Sequence, residues 1–123
     1  MLSLTIPQSI KQGDTIGICT PAMPAYSISN EVFENGVKNV EKAGFFVKLG
    51  NLTKNRASEG YRSAGPKERA KELMDLFVNP SVKAILTTIG GMNSNSLIPF
   101  LDFEVIKSNP KIFCGYSDIT SLH

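Results

Sequence analysis

The ten residues Val82–Gly91, "VKAILTTIGG", indicate the fold class of this 123-residue chain. Residues 82–88 form a short, mostly apolar run bounded by glycine, which is typical of a buried strand. The run leads into two adjacent glycines, Gly90 and Gly91, where the backbone can turn sharply or come close to a ligand. This stretch therefore predicts a buried strand followed by a loop that is suited to binding.

Similar apolar runs occur at three other places, and helical patterns separate them. These runs cover residues 14–20, 45–49 and 111–116. Apolar residues spaced three or four apart predict one amphipathic helix that ends at Gly44 and another that begins at Pro66. Strands that alternate with helices indicate an α/β fold, with a mostly parallel sheet and helices on both faces. The polar stretch 50–65 is predicted to be a surface loop.

The composition excludes several classes of protein. The hydrophobic fraction of 41% and the charged fraction of 20% are those of a globular domain. A formal net charge of +2, spread without blocks, gives no electrostatic basis for binding nucleic acid or an anionic membrane. No apolar run approaches the ~20 residues of a membrane span, and residues 1–5 lack the features of a signal peptide. We therefore expect a cytoplasmic protein, in which Cys19 and Cys114 are buried free thiols.

Ser117 is the first candidate for chemistry, because it follows the strand 111–116 and precedes a helix-like segment. A serine at such a turn projects outward beside free helix N–H groups, which can stabilise the oxyanion of an acyl-transfer intermediate. The complete G-x-S-x-G form is absent, since Ile119 stands at the position of the second glycine. A serine that only caps a helix has the same local pattern, so both interpretations stay open at this point.

The loop after the strand 82–88 is the second candidate. Gly90 and Gly91 allow N–H groups to point at a ligand, and the Asn and Ser residues that follow add donors and a helix N-terminus. The loop has neither the Gly-Lys-Ser/Thr of a P-loop nor a G-x-G-x-x-G pattern. An ordinary turn with a helix cap explains these residues as well as a binding loop does.

Residues 1–123 contain no evident base for Ser117. His123 is the only histidine, and six residues along a helix place it roughly 240° away from the serine. Asp118 adjoins the serine, but its carboxylate is expected to point away, toward the N-terminus of the helix that follows. A serine without a base is a poor nucleophile, so the constellation is incomplete.

Two segments, Gly115–Thr120 and Thr88–Asn95, together resemble motifs of the LD-carboxypeptidase family of serine peptidases. The form GGMNSN is similar to the microcin C self-immunity branch of that family rather than to its murein-recycling enzymes. The segments Gly13–Gly17 and Gly60–Gly65 fit the same family. The resemblance therefore covers nearly the whole chain.

This resemblance implies a role for each residue of the two motifs. It makes Ser117 the nucleophile and assigns the oxyanion hole to the backbone N–H groups of Gly91 and Asp118. Residues that are expected to bind the substrate are Gly90, Met92, Asn93, Ser94 and Asn95. The glutamate and histidine of the family's triad belong to a C-terminal domain. We therefore expect residues 1–123 to be the N-terminal α/β domain that bears the nucleophile, with the C-terminal domain absent from this chain.

The function that the resemblance implies is that of a cytoplasmic, homodimeric serine carboxypeptidase or amidase without a metal or other cofactor. Its expected substrates are murein peptides with an L–D bond, as in peptidoglycan recycling, or peptidyl-nucleotides of the microcin C type. Cleavage would proceed through an acyl-enzyme, and the fragment alone is expected to be inactive. Two alternatives remain, a nucleotide- or anion-binding α/β module without catalysis and a structural or regulatory protein.

Overall fold

Four parallel strands form one sheet in the order β2–β1–β3–β4 in a computed structural model, which describes residues 4–123. The strands are β1 (Thr15–Cys19), β2 (Phe46–Leu49), β3 (Val82–Thr87) and β4 (Ile112–Cys114). The predicted parallel α/β fold is confirmed. The chain passes from β1 to β2 on one side and then crosses to β3 on the other. Ligands of open α/β sheets bind at such a reversal, beyond the carboxyl ends of the strands.

Helices connect the strands. The α-helices are α1 (Asn30–Lys42), α2 (Asn51–Lys54), α3 (Pro66–Val78) and α4 (Phe103–Ser108), and the 3-10 helices are Ala25–Ser27, Ser94–Phe100 and Ser117–Leu122. As predicted, α1 is followed by Gly44 with a left-handed φ of +96°, and Pro66 opens α3, where its missing N–H costs nothing. The short helix α2 was not predicted, because it lies in the polar stretch that was expected to be a loop. No helix of residues 4–123 is long and apolar enough to cross a membrane.

The main buried hydrophobic cluster lies between α3 and the sheet. The buried cluster consists of Cys19, Leu73, Leu76, Phe77, Val82 and Ile85. On the opposite face, α1 has no fully buried residue, and its apolar side borders a cavity of about 270 Å³ against Ile18 and Leu86. Helices thus cover both faces of the sheet, but α3 covers its face more completely.

The two cysteines differ in exposure. Cys19 is a buried free thiol, as predicted, because β1 is a central strand. Cys114 is also free but exposed, so the prediction that both thiols are buried is wrong. The physical reason is the position of β4 at the edge of the sheet, which leaves the end of that strand without a covering neighbour.

Candidate active site

The loops after β1, β3 and β4 meet at the carboxyl edge of the sheet. The N–H of Met23 donates to the carbonyl of Gly90 at 3.1 Å, and the N–H of Thr88 donates to the carbonyl of Cys19 at 3.0 Å. These bonds join the loop after β1 to the loop after β3. Beside them lies a cavity of about 390 Å³, which Ser117, Gly90 and Gly91 help to line. The two loops that the sequence singled out therefore share one cavity.

Ser117 has a strained backbone at the start of the last 3-10 helix. Its φ is +60°, whereas Tyr116 before it is extended. A left-handed conformation costs an L-residue roughly 1–2 kcal/mol, and such strain is found mainly at functional sites. The turn is also tight, since a Cβ on Gly115 would lie 2.6 Å from both Ile119 Cγ2 and Thr87 Oγ1. A strained, exposed serine between a strand and a helix has the geometry of a nucleophile elbow.

The two glycines after β3 leave space at the serine. A Cβ on Gly90 would lie 3.1 Å from Ser117 Cβ and 3.2 Å from Ser117 Oγ. Gly91 has a φ of +148°, and a Cβ there would lie 2.5 Å from Met23 Cγ. The N–H groups of Gly91 and Asp118 donate to no backbone acceptor within residues 4–123. Both donors are therefore available to a ligand.

Asp118 is turned toward the loop after β3. Its Oδ2 accepts from the N–H of Ser94 at 2.9 Å, at the start of the helix Ser94–Phe100. The Ser94 hydroxyl donates to the Asp118 carbonyl at 2.7 Å. The carboxylate therefore bonds to the N-terminus of the neighbouring helix, Ser94–Phe100, and not, as was expected, to that of its own helix. Ser94 is fully buried, and both its N–H and its hydroxyl are hydrogen-bonded to Asp118.

The other residues of the GGMNSN motif differ in how open they are. Met92 and Asn95 are exposed, whereas Gly90 and Asn93 are partly buried. Asn93 has a left-handed φ of +58°, and its Nδ2 donates to the Tyr61 hydroxyl at 3.3 Å. Met92 and Asn95 are therefore the side chains of this motif with the most freedom to touch a ligand.

His123 lies elsewhere. Its ring packs edge-on against Phe113, with the ring centroids 5.3 Å apart, and it lines an apolar cavity with Leu73 and Phe77 rather than the cavity at Ser117. The described residues thus place no imidazole beside Ser117. They also form no group of three or more Cys, His, Asp or Glu side chains that could hold a metal ion.

Sequence reasoning missed a buried cation on α3. Arg69 is 0% exposed. Its Nε donates to the Ala64 carbonyl and its Nη1 to the Pro21 carbonyl, both at 2.8 Å. Nη1 also reaches Asn93 Oδ1 at 3.3 Å, and Nη2 donates to Ser96 Oγ at 3.0 Å. Burial lowers the pKa of the Arg69 guanidinium from its ordinary value, but an arginine stays charged in a protein.

A buried acid lies one turn further along α3. Glu72 Oε1 accepts from the N–H and the hydroxyl of Thr53 at 2.9 and 3.0 Å, and Oε2 accepts from the N–H of Thr20 at 2.9 Å. Burial raises the pKa of Glu72, and these hydrogen bonds act in the opposite direction. The apolar stripe of α3 gave no signal for either charged residue, because their partners lie in other segments of the chain.

Comparison with known families gives one match over most of the chain. Residues 16–123 match the family described as LD-carboxypeptidase N-terminal domain. The microcin C7 self-immunity protein MccF of Escherichia coli is 46% identical over 110 residues, which are 89% of this chain and 31% of that protein. A probable murein peptide carboxypeptidase of Bacillus subtilis is 37% identical over 117 residues, 95% of this chain and 35% of that protein.

A solved structure shows the same fold. It is that of MccF in complex with aspartyl sulfamoyl adenosine, and it superposes with a TM-score of 0.91 at 43% identity. The superposition covers 97% of this chain and 35% of that one. The chain therefore spans about a third of the length of the relatives that it matches.

Proposed function

Because this chain belongs to the LD-carboxypeptidase family, we propose that it carries the nucleophile of a serine carboxypeptidase or amidase. The observation that carries this proposal is the geometry at Ser117. The serine is held at a φ of +60°, and the lack of a Cβ on Gly90 leaves room beside it, since such a Cβ would lie 3.2 Å from Ser117 Oγ. Free N–H groups on Gly91 and Asp118 belong to the same two loops. This is the arrangement that acyl transfer needs.

The proposed reaction begins with attack of Ser117 Oγ on the carbonyl carbon of the scissile amide. As the carbonyl oxygen becomes an oxyanion, the N–H groups of Gly91 and Asp118 stabilise it, each by roughly 2.7–4 kcal/mol in comparable sites. The amine then leaves with a proton, and water hydrolyses the acyl-enzyme to release the acid and restore the serine.

The proposed reaction also requires a base that can take the proton of Ser117. Within residues 4–123 the only imidazole, His123, packs on Phe113, and the nearest acid in sequence, Asp118, is bonded to Ser94. We therefore propose that residues 1–123 form the N-terminal, nucleophile-bearing domain, and that a glutamate and a histidine of a C-terminal domain complete the triad, as in the family. The length of the relatives supports this arrangement.

For the substrate we favour an aminoacyl- or peptidyl-nucleotide over a murein peptide. The relative that is 46% identical is a microcin C7 self-immunity protein, and a solved structure of that protein holds aspartyl sulfamoyl adenosine. The relative named for murein peptides is 37% identical. Gly90, Met92, Asn93 and Asn95 would contact the substrate, whereas Ser94, being buried, would act through Asp118. We further propose that the enzyme works in the cytoplasm as a homodimer.

The test uses the protein expressed from the complete reading frame that encodes this chain. A fluorophosphonate probe should label Ser117, located by mass spectrometry, and Ser117→Ala should abolish both labelling and hydrolysis. Release of the amino acid from an aminoacyl sulfamoyl adenosine, compared with release of D-alanine from a murein tetrapeptide, then separates the two substrate classes. Binding of the nucleoside without labelling or hydrolysis would contradict the proposal and favour a binding module without catalysis.

A further inference from the structure

Arg69 is a buried charge that forms no salt bridge within residues 4–123. The carboxylates of Asp118 and Glu59 act on it from a longer distance and partly oppose the lowering of its pKa by burial. All of its hydrogen-bond acceptors within residues 4–123 are neutral, namely backbone carbonyls, an amide oxygen and a hydroxyl. Removing a charge of this size from water carries a penalty of several kcal/mol. An apolar side chain would fill the same place on α3 without that penalty. The position of Arg69 therefore calls for a reason other than packing.

The acceptors of Arg69 lie on three separate loops. Pro21 is in the loop after β1, and Ala64 is in the loop that precedes α3. Asn93 and Ser96 are in the loop and helix after β3. A planar guanidinium presents five donors in a fixed fork, so it fixes the relative positions of the groups that it bonds. Arg69 thus sets how these three loops are placed against one another.

Both proposed oxyanion donors are attached to the segment that Arg69 holds. Gly91 precedes Asn93 by two residues, and the Gly90 carbonyl is bonded to Met23 in the first of the three loops. Asp118 is bonded through its carboxylate and its carbonyl to Ser94, the residue that follows Asn93. Ser96 Oγ also donates to the Asn93 carbonyl at 2.6 Å, which closes the turn. A shift of Asn93 would therefore move both donors.

We propose that Arg69 is a positioning residue that holds the N–H groups of Gly91 and Asp118 at the separation required for oxyanion binding, an inference that rests on the proposed function of Ser117. Arg69 does not line the cavity at Ser117, so it acts through its bonded neighbours, Asn93 and Ser96 on one side and the loop that contains Pro21 on the other. Its effect belongs to the chemical step, because the oxyanion develops in the transition state and is complete in the tetrahedral intermediate, and is absent from the bound substrate. Loss of Arg69 should accordingly lower kcat far more than it raises KM.

The experiment compares two Arg→Lys variants of the protein from the complete reading frame. Arg69→Lys keeps a positive charge but replaces the fork by a single ammonium with three donors. The matched control is Arg56→Lys. Arg56 also ties loops together, since its Nη2 donates to the carbonyls of Ala25 and Ile28, but it makes no bond to the segment that carries Gly91. Ser96→Ala, which removes one acceptor of Arg69, is a milder variant should Arg69→Lys fail to fold.

Two readouts are measured on each variant, the steady-state constants for the amide substrate and the amide chemical shifts of Gly91 and Asp118 in selectively ¹⁵N-labelled protein. We expect Arg69→Lys to lower kcat on the order of 10²-fold, as for loss of one oxyanion donor, with KM within about threefold, and to move both amide signals. Ser96→Ala should show the same pattern at smaller amplitude, and Arg56→Lys should show neither change. A folded Arg69→Lys with unchanged kcat and unchanged signals would overturn the role of Arg69 while leaving the proposed function intact. If Ser117 of the wild-type protein fails to label, the proposed function fails instead, and the two amide signals still decide whether Arg69 positions these groups.

Discussion

Replacement of Ser117 by glycine should give a more stable protein than replacement by alanine, and both variants should lose the proposed hydrolase activity. Ser117 is exposed, and its φ of +60° lies in the left-handed region. A Cβ in this region costs roughly 1–2 kcal/mol, and glycine avoids that cost but loses about 0.5–1 kcal/mol through its more flexible unfolded chain. Ser117→Gly should therefore be more stable than Ser117→Ala by about 0.5–1 kcal/mol. With a urea m-value of about 2 kcal/mol/M, the unfolding midpoint should rise by roughly 0.25–0.5 M.

The assay is urea unfolding of both variants, monitored by fluorescence or circular dichroism. The two midpoints can be compared as stabilities if the two m-values are equal. Alanine is the correct reference because it keeps the Cβ in the strained conformation and removes only the hydroxyl. The same pair of substitutions at Ser58, an exposed serine outside the left-handed region, is the control. There glycine should be the less stable variant. If glycine were also less stable than alanine at position 117, the backbone at the proposed nucleophile would carry no strain and the elbow geometry would be refuted.

Other residues give predictions of different kinds. Gly91→Val should lower kcat by about 10²-fold or more, because its Cβ would displace a proposed oxyanion donor. Gly13→Ala, at a left-handed glycine with open space around it, should leave kcat unchanged. Equal effects of the two substitutions would remove Gly91 from the proposed site. Because burial raises the pKa of Glu72 above the ~4.3 of an unfolded chain, its contribution to stability is fully present below about pH 4.3 and is lost as the pH rises through the raised value. Glu72→Gln should remove this part of the pH dependence of the urea midpoint, and identical pH profiles would contradict the assignment. Iodoacetamide should modify the exposed Cys114 of the native protein but not Cys19, whose pKa is raised by burial. Mass spectrometry of the peptides identifies the modified residue, and modification of Cys19 in place of Cys114 would contradict this prediction.

The regular parts of the fold could be predicted because their signals are local. The apolar run of β3 and the helix signals at Gly44 and Pro66 each depend on a few neighbouring residues. The helix α2 could not be predicted in this way, since it has only four residues. It depends on the carboxylate of Glu72, which accepts the N–H of Thr53 from 19 positions away. A contact of that kind leaves no periodicity in the sequence.

In the candidate site, too, the residues with local sequence signals could be predicted, and those that depend on distant contacts could not. The sequence predicted that Ser117 and the glycines after β3 lie together, because the loops at the carboxyl ends of parallel strands meet at one edge of the sheet, and the structure places them around one cavity. The strained φ of Ser117 was invisible, because no glycine marks it. Arg69 was missed because its acceptors include Pro21 and Asn93, which lie 48 and 24 residues away. The atoms that support a site come from the whole fold, whereas the atoms that react are clustered in short motifs.

The strand order has a consequence for synthesis on the ribosome. β1 is a central strand, and its partner on one side, β3, follows only after β2 and the three helices α1, α2 and α3 have been made. At about 5–20 residues per second, the ribosome needs roughly 3–14 s to proceed from Cys19 to its partner Thr87. During this interval the apolar residues Ile16 and Ile18 lack the neighbour that completes their burial, and the edge of β1 can pair with another nascent chain. The nascent chain is therefore expected to need protection by a chaperone until β3 has emerged.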